Sequence, residues 1–121
     1  MTKTILSSPR RFQIWDYRVG HSQLLLRSIR GTNFPTRIDV LFKNVSAINL
    51  CATLDGLMIS EAAEEELASI TMPAAENVRE NRRRYIVRAS NFVGNVIAGV
   101  VAWHEDEGEY NDPSHYQLLP L

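Results

Sequence analysis

Turn signals recur every few residues along this chain. The segments between them are short and rich in aromatic and β-branched residues, which is the pattern of β-hairpins. Residues 11–19, Arg-Phe-Gln-Ile-Trp-Asp-Tyr-Arg-Val, read as a strand. Gly20-His21 offers a two-residue turn, and residues 23–29 return. Three consecutive leucines, Leu24 to Leu26, break strict alternation, so both faces of this strand are expected to be covered. A turn at 31–35 leads into 37–43, with Ile38, Val40 and Phe42 on one face. Centring that turn on Asn33 sets Arg27 opposite Asp39, a stabilising cross-strand pair.

Lys43-Asn44 permits a further reversal into 45–53. Asp55-Gly56, flanked by Leu54 and Leu57, carries the strongest local hairpin signal, because a type I′ turn needs positive φ at both central positions. Residues 60–70 alone have helical character: Ser60 as N-cap, an acidic first turn and good helix formers after it. A last hairpin pairs 83–90 with 96–105. With Gly94-Asn95 as its turn, Arg82, Arg83 and Arg84 fall opposite Glu107, Asp106 and Glu105. The expected fold is mainly β: antiparallel hairpins forming a barrel or sandwich of about seven strands. One helix near 60–70 packs on it, and residues 1–121 make a single domain.

That last register gains interest from the charge distribution. Residues 1–43 carry eight Lys/Arg against two acids, and residues 89–121 carry five acids and no base. Blocks of opposite sign suit either a bipolar surface or segments that neutralise each other in the fold. The longest apolar run, residues 96–103, falls well short of the ~20 residues a membrane helix needs. With no leader-like segment and one cysteine, Cys51, the chain reads as a cytoplasmic protein without disulfides.

Specific chemistries find little support in the residues. Arg82–Arg84, with Arg10 and Arg11 beside Phe12, Trp15 and Tyr17, is the composition of a single-strand nucleic-acid site. An isoelectric point near 6.3 and a neutralising acidic strand argue against that use. His104, Glu105, Asp106 and Glu107, with Asp112 and His115, have metal-binding residue types but no metal-binding spacing. No nucleophile elbow, phosphate loop or cofactor motif is present, so no catalytic residue, metal or cofactor is assigned. Trp15, Tyr17 and His21 remain as a candidate patch for a ligand or partner, if alternation puts the two rings on one face.

Trp15-Asp-Tyr17-Arg-Val19-Gly-His21 runs on into Leu24-Leu-Leu-Arg-Ser28. Together with Glu105-Asp-Glu-Gly-Glu-Tyr110 and Asp112-Pro-Ser114, it resembles a set of small uncharacterised bacterial proteins. That resemblance implies a family without a catalytic signature. Size, hairpins and acidic patches are also similar in kind to immunity proteins that neutralise toxins of competing bacteria. The expected function is therefore a non-catalytic protein-interaction module, with an immunity-like role as one form of it, that binds a protein partner or a second copy of itself as a homodimer. A small-molecule-binding barrel with enzymatic use is the alternative. Neither membrane nor nucleic acid is an expected partner.

Overall fold

The computed structural model describes residues 3–62, 82–109 and 112–116. They form one antiparallel sheet of eight strands: β1 (Lys3–Arg18), β2 (Gln23–Ser28), β3 (Arg37–Lys43), β4 (Ala47–Asn49), β5 (Thr53–Glu61), β6 (Arg83–Arg88), β7 (Val93–Ala98) and β8 (Val100–Asp106). Their order across the sheet is β4-β7-β6-β5-β1-β2-β3-β8, and the sheet is not closed. Consecutive strands β7 and β8 thus stand toward opposite ends of it, joined only through Gly99.

Two features make that passage feasible. The β3·β8 ladder ends at Lys43↔Val100, and the β4·β7 ladder begins at Ala47↔Ile97. Between them Gly99 N–H donates to the Lys43 carbonyl at 2.8 Å and Ser46 N–H to the Ile97 carbonyl at 2.9 Å. The two ladders are therefore successive parts of one bent ribbon. Asn44, at φ 56, makes the bend on its other side. The reversal expected at Lys43-Asn44 is thus a corner rather than a hairpin: β4 pairs with β7, not with β3.

Inside the curl lie Phe12, Leu24, Leu26, Val40, Phe42, Leu54, Ile59, Val87 and Val96, all with no exposed surface. The leucine triplet is buried on both faces, as expected: Leu24 and Leu26 point into the core, while Leu25 pairs with Leu41 on the other face. Arg27 stands opposite Asp39, the register read from the turn.

Three further local expectations fail, each because a tertiary partner outweighs the local signal. Asp55 and Gly56 lie within β5, opposite a bulge in β1. Pairing with β1 slips between Ser8↔Leu57 and Arg11↔Asp55, so Pro9 and Arg10 stand against Gly56. Gly56 uses its positive φ, 81°, to absorb that slip, and Pro9 has no N–H to leave unpaired. The segment is held from its other side as well: Ser90 N–H donates to the Asp55 carbonyl at 2.8 Å, and Asn91 Oδ1 accepts from Asp55 N–H at 3.0 Å.

Ser90-Asn91 is accordingly the true turn of the last hairpin, with Arg88 paired to Val93 across it. Gly94 and Asn95 belong to β7. Arg83 and Arg84 then face Ala98 and Ile97, not the acidic strand. Ser60 and Glu61 continue β5, so no helix starts at Ser60. Residues 63–70 of the expected helix, and the edge strand expected at 117–121, lie outside the described residues.

Gly94 shows why that strand tolerates no side chain. A Cβ there would run into the Asn49 carbonyl oxygen and stand 2.6 Å from the Phe92 ring. Gly94→Ala is expected to lower stability by about 2 kcal/mol or more, through overpacking that pushes β4 from β7. At Gly20, where nothing lies within 4 Å of a Cβ, the same change is expected to stay within about 0.5 kcal/mol. Urea denaturation of both variants checks the contrast.

Candidate functional site

The densest chemistry in the molecule lies on the outer face of β2, β3 and β8. Core residues Leu26, Ile38 and Val40 point inward, so alternation turns their neighbours Arg27, Arg37 and Asp39 outward. All three are nevertheless at most 3 % exposed. Arg27 grips Asp39 with two parallel hydrogen bonds, Nε to Oδ1 at 2.7 Å and Nη2 to Oδ2 at 3.0 Å. Arg37 grips Asp106 in the same way, both bonds 3.0 Å long.

Over these pairs lies the segment after β8. Arg37 Nη1 donates to the carbonyls of Asp112 at 2.8 Å and Glu109 at 3.2 Å, and Nη2 donates to Pro113 at 3.2 Å. Arg27 Nη1 reaches the Asp112 carbonyl at 3.2 Å. Ser114 Oγ donates to Asp39 Oδ2 at 2.7 Å. Gly108 passes so close to the Arg37 guanidinium that a Cβ would stand 2.6 Å from it. His115 stacks on His104 with ring centres 3.7 Å apart, and Tyr116 meets both edge-on. Trp15 covers the Arg27 guanidinium from the side, 5.0 Å from its ring centre.

The arrangement is a clasp in which each buried charge meets an opposite charge and the arginines' further donors reach backbone carbonyls. Isolated buried charges cost several kcal/mol each, and such satisfaction is what makes them tolerable. The hydrogen bond from Arg37, aided by that from Gly108 N–H, holds the Asp106 carboxyl below the usual carboxylate range. Burial, aided by Asp39, raises the Tyr116 phenol. Ser114 donates straight to Asp39 with no imidazole between them, which is not the order of a hydrolytic triad. Among the described residues no group of three or more His, Cys, Asp or Glu side chains is arranged to hold a metal ion.

The basic N-terminal and acidic C-terminal blocks do neutralise each other, as one reading of the charge pattern held, but through other residues than the Arg82–Arg84 run. Glu105 receives Arg10 at 3.3 Å, and Arg10 also donates to Thr36 and lies over Phe34. Glu109 receives Arg30 at 3.1 Å; Glu107 is exposed, and its carbonyl accepts from Arg30. Arg83 pairs with Glu61, Arg82 Nε donates to the Asn44 carbonyl, and the Arg84 Nε is buried without a partner. Arg11 is tied to Asp55 at 2.7 Å, in an open groove of about 650 Å³ that crosses β1, β5 and β6.

Trp15, Tyr17 and His21 do not converge. The β1·β2 pairing slips between Ile14↔Leu26 and Asp16↔Leu25, so Trp15 is the extra residue of a bulge and alternation fails there. Trp15 packs on Arg27, outside the core, whereas Tyr17 pairs with core residue Leu24. His21 is exposed in the 3-10 turn Val19–His21.

The sequence reading passed over the free end of the sheet. β8 has a strand on one side only among the described residues. Its first half, Val100-Val101-Ala102-Trp103, is four consecutive apolar residues, with Val100 48 % and Trp103 45 % exposed. The signal was present as the second half of the apolar run 96–103, whose first half is buried in β7. Comparison with known protein families, with characterised proteins and with solved structures finds no match.

Asp39→Ala leaves Arg27 buried without its counter-ion and is expected to cost about 3–5 kcal/mol, whereas Ser114→Ala costs about 1 kcal/mol. Both are read by chemical denaturation. Because the folded Asp106 carboxyl sits below its unfolded value, its contribution is present above the ordinary aspartate value of about 3.9 and is lost as pH falls through the folded one. Asp106→Asn should therefore flatten the acid limb of the stability profile while lowering its neutral plateau.

Proposed function

We propose that this protein is a non-catalytic interaction module that binds a protein partner along the β8 edge. The observation that carries this reading is the apolar run Val100–Trp103 on a strand with one free side among the described residues. Edge strands are ordinarily blunted by charge, proline or a covering element, because their unpaired backbone groups invite another strand. In β8 the charges Glu105 and Asp106 lie in the second half and are engaged by Arg10 and Arg37. The first half carries no charge or proline, and an apolar run in which Val100, Ala102 and Trp103 are exposed marks a functional surface in an otherwise well-patterned chain. Strand addition gives affinity through the backbone and specificity through alternate side chains, here Val101 and Trp103 on the inner face.

The clasp gives this edge a rigid base, since Arg37–Asp106 fixes the far end of β8 to β3. An immunity-like role is one form of the same activity, occupying a partner's surface without chemistry. No helix among the described residues is long and apolar enough to cross a membrane.

Affinity capture from nuclease-treated lysate, run beside the edge variant Val100→Lys/Ala102→Lys, tests the reading. Both side chains are exposed, so the variant is expected to fold. A stoichiometric partner that the variant loses, and that slows amide exchange at residues 100–104, is the expected result. A partner retained by the variant, with no protection of β8, contradicts it.

A further inference from the structure

The geometry points to a second copy of this chain as the occupant of the β8 edge, paired antiparallel about a two-fold axis at Ala102; this rests on the interaction reading above. Three constraints lead to it. First, among the described residues the other free edge is β4, only Ala47–Asn49, while β8 offers Val100–Asp106. A contact between β4 of one copy and β8 of the next would be short and would propagate without closing. A β8–β8 contact is self-complementary and closes as a dimer.

Second, a two-fold axis normal to the sheet reverses strand direction and keeps its faces, so paired residues must share a face and the axis must pass through a residue. Val101 and Trp103 face inward, opposite Phe42 and Val40, while Val100, Ala102 and His104 face outward. An axis at Ala102 sets Val101 of each copy beside Trp103 of the other, and Val100 beside His104. Aromatic beside β-branched is among the favourable cross-strand pairs. The half-exposed Trp103 ring then extends the inner apolar face across both sheets. An axis at Trp103 would instead put Val101 beside Glu105, and Val100 beside Asp106. An axis at Val101 leaves Trp103 beside Gly99.

Third, the charges permit it. With the axis at Ala102, Glu105, Asp106 and Glu107 fall beyond the paired stretch at opposite ends of the interface. The small, exposed Ala102 side chain lets the two backbones meet at the axis without a clash.

The test is the mass of the full chain in solution together with a single-cysteine scan in a Cys51→Ser background. Light scattering should show a dimer that Ala102→Lys converts to a monomer of unchanged fold. Residues facing each other across an antiparallel ladder have Cα atoms about 4.5–5.5 Å apart, within disulfide range. Under mild oxidation Ala102→Cys should therefore cross-link to its mate, and Val100→Cys should not. A monomer at all concentrations to ~100 µM, near what a weak specific dimer needs, overturns the inference. So does a dimer indifferent to Ala102→Lys, or cross-linking at residue 100 and not 102. If the chain is monomeric yet Val100→Lys/Ala102→Lys loses a captured partner, self-pairing fails and the broader interaction reading stands.

Discussion

The passage of the chain through Gly99 decides the architecture. On one side of that glycine, β7 is enclosed between β6 and β4; on the other, β8 pairs with β3 alone among the described residues. The bent ribbon of β3 and β4 against β8 and β7 gathers the core residues into one interior and leaves the two ends of the sheet without further strands among the described residues. Burial of Val96 and Ile97 and exposure of Val100 and Trp103 follow from the same corner. A sequence run that looks uniformly apolar is thereby divided into a packed half and a presented half.

The clasp complements this arrangement from the opposite face. It places two bidentate arginine–carboxylate pairs beneath a segment that supplies three backbone carbonyls and one hydroxyl. Buried ion pairs contribute little net stability compared with apolar packing, but breaking one is costly, so they favour one register over its alternatives. Slipping β3 by a residue would separate Arg27 from Asp39 across the β2 ladder and Arg37 from Asp106 across the β8 ladder. The patterns Leu24-Leu-Leu-Arg-Ser28 and Asp112-Pro-Ser114 acquire a structural meaning here: Arg27 and Ser114 meet on Asp39.

Much of the sheet was legible in the sequence where partners are local. The β2–β3 hairpin and its Arg27–Asp39 pair follow from a short loop between strongly patterned segments, and β3 was read with its observed limits. Legibility failed where a distant strand imposed its own demand. Asp55-Gly56 has the chemistry of a hairpin turn, yet a bulge in β1 and the Ser90-Asn91 turn hold it inside a strand. Gly94-Asn95 looks equally turn-like, but its glycine serves the close approach of Asn49. The charge blocks suited either a bipolar surface or mutual neutralisation; only the three-dimensional register could say that the acids meet Arg10, Arg30 and Arg37. The aromatic patch dissolved because a bulge at Trp15 reverses the alternation that would have united it with Tyr17. Exposure at Trp103 was hidden for a related reason, since sequence does not reveal which strand ends a sheet.

The proposed association requires β8 to be an open edge in the isolated chain. Amide hydrogen exchange along β8, followed by NMR as a function of protein concentration, measures this directly. Alternate amides across residues 100–104, those turned away from β3, should exchange freely in dilute solution and become protected as concentration rises, with β2 and β3 unchanged throughout. Full protection of those amides in dilute solution would show the edge already covered within one chain, and would contradict the account.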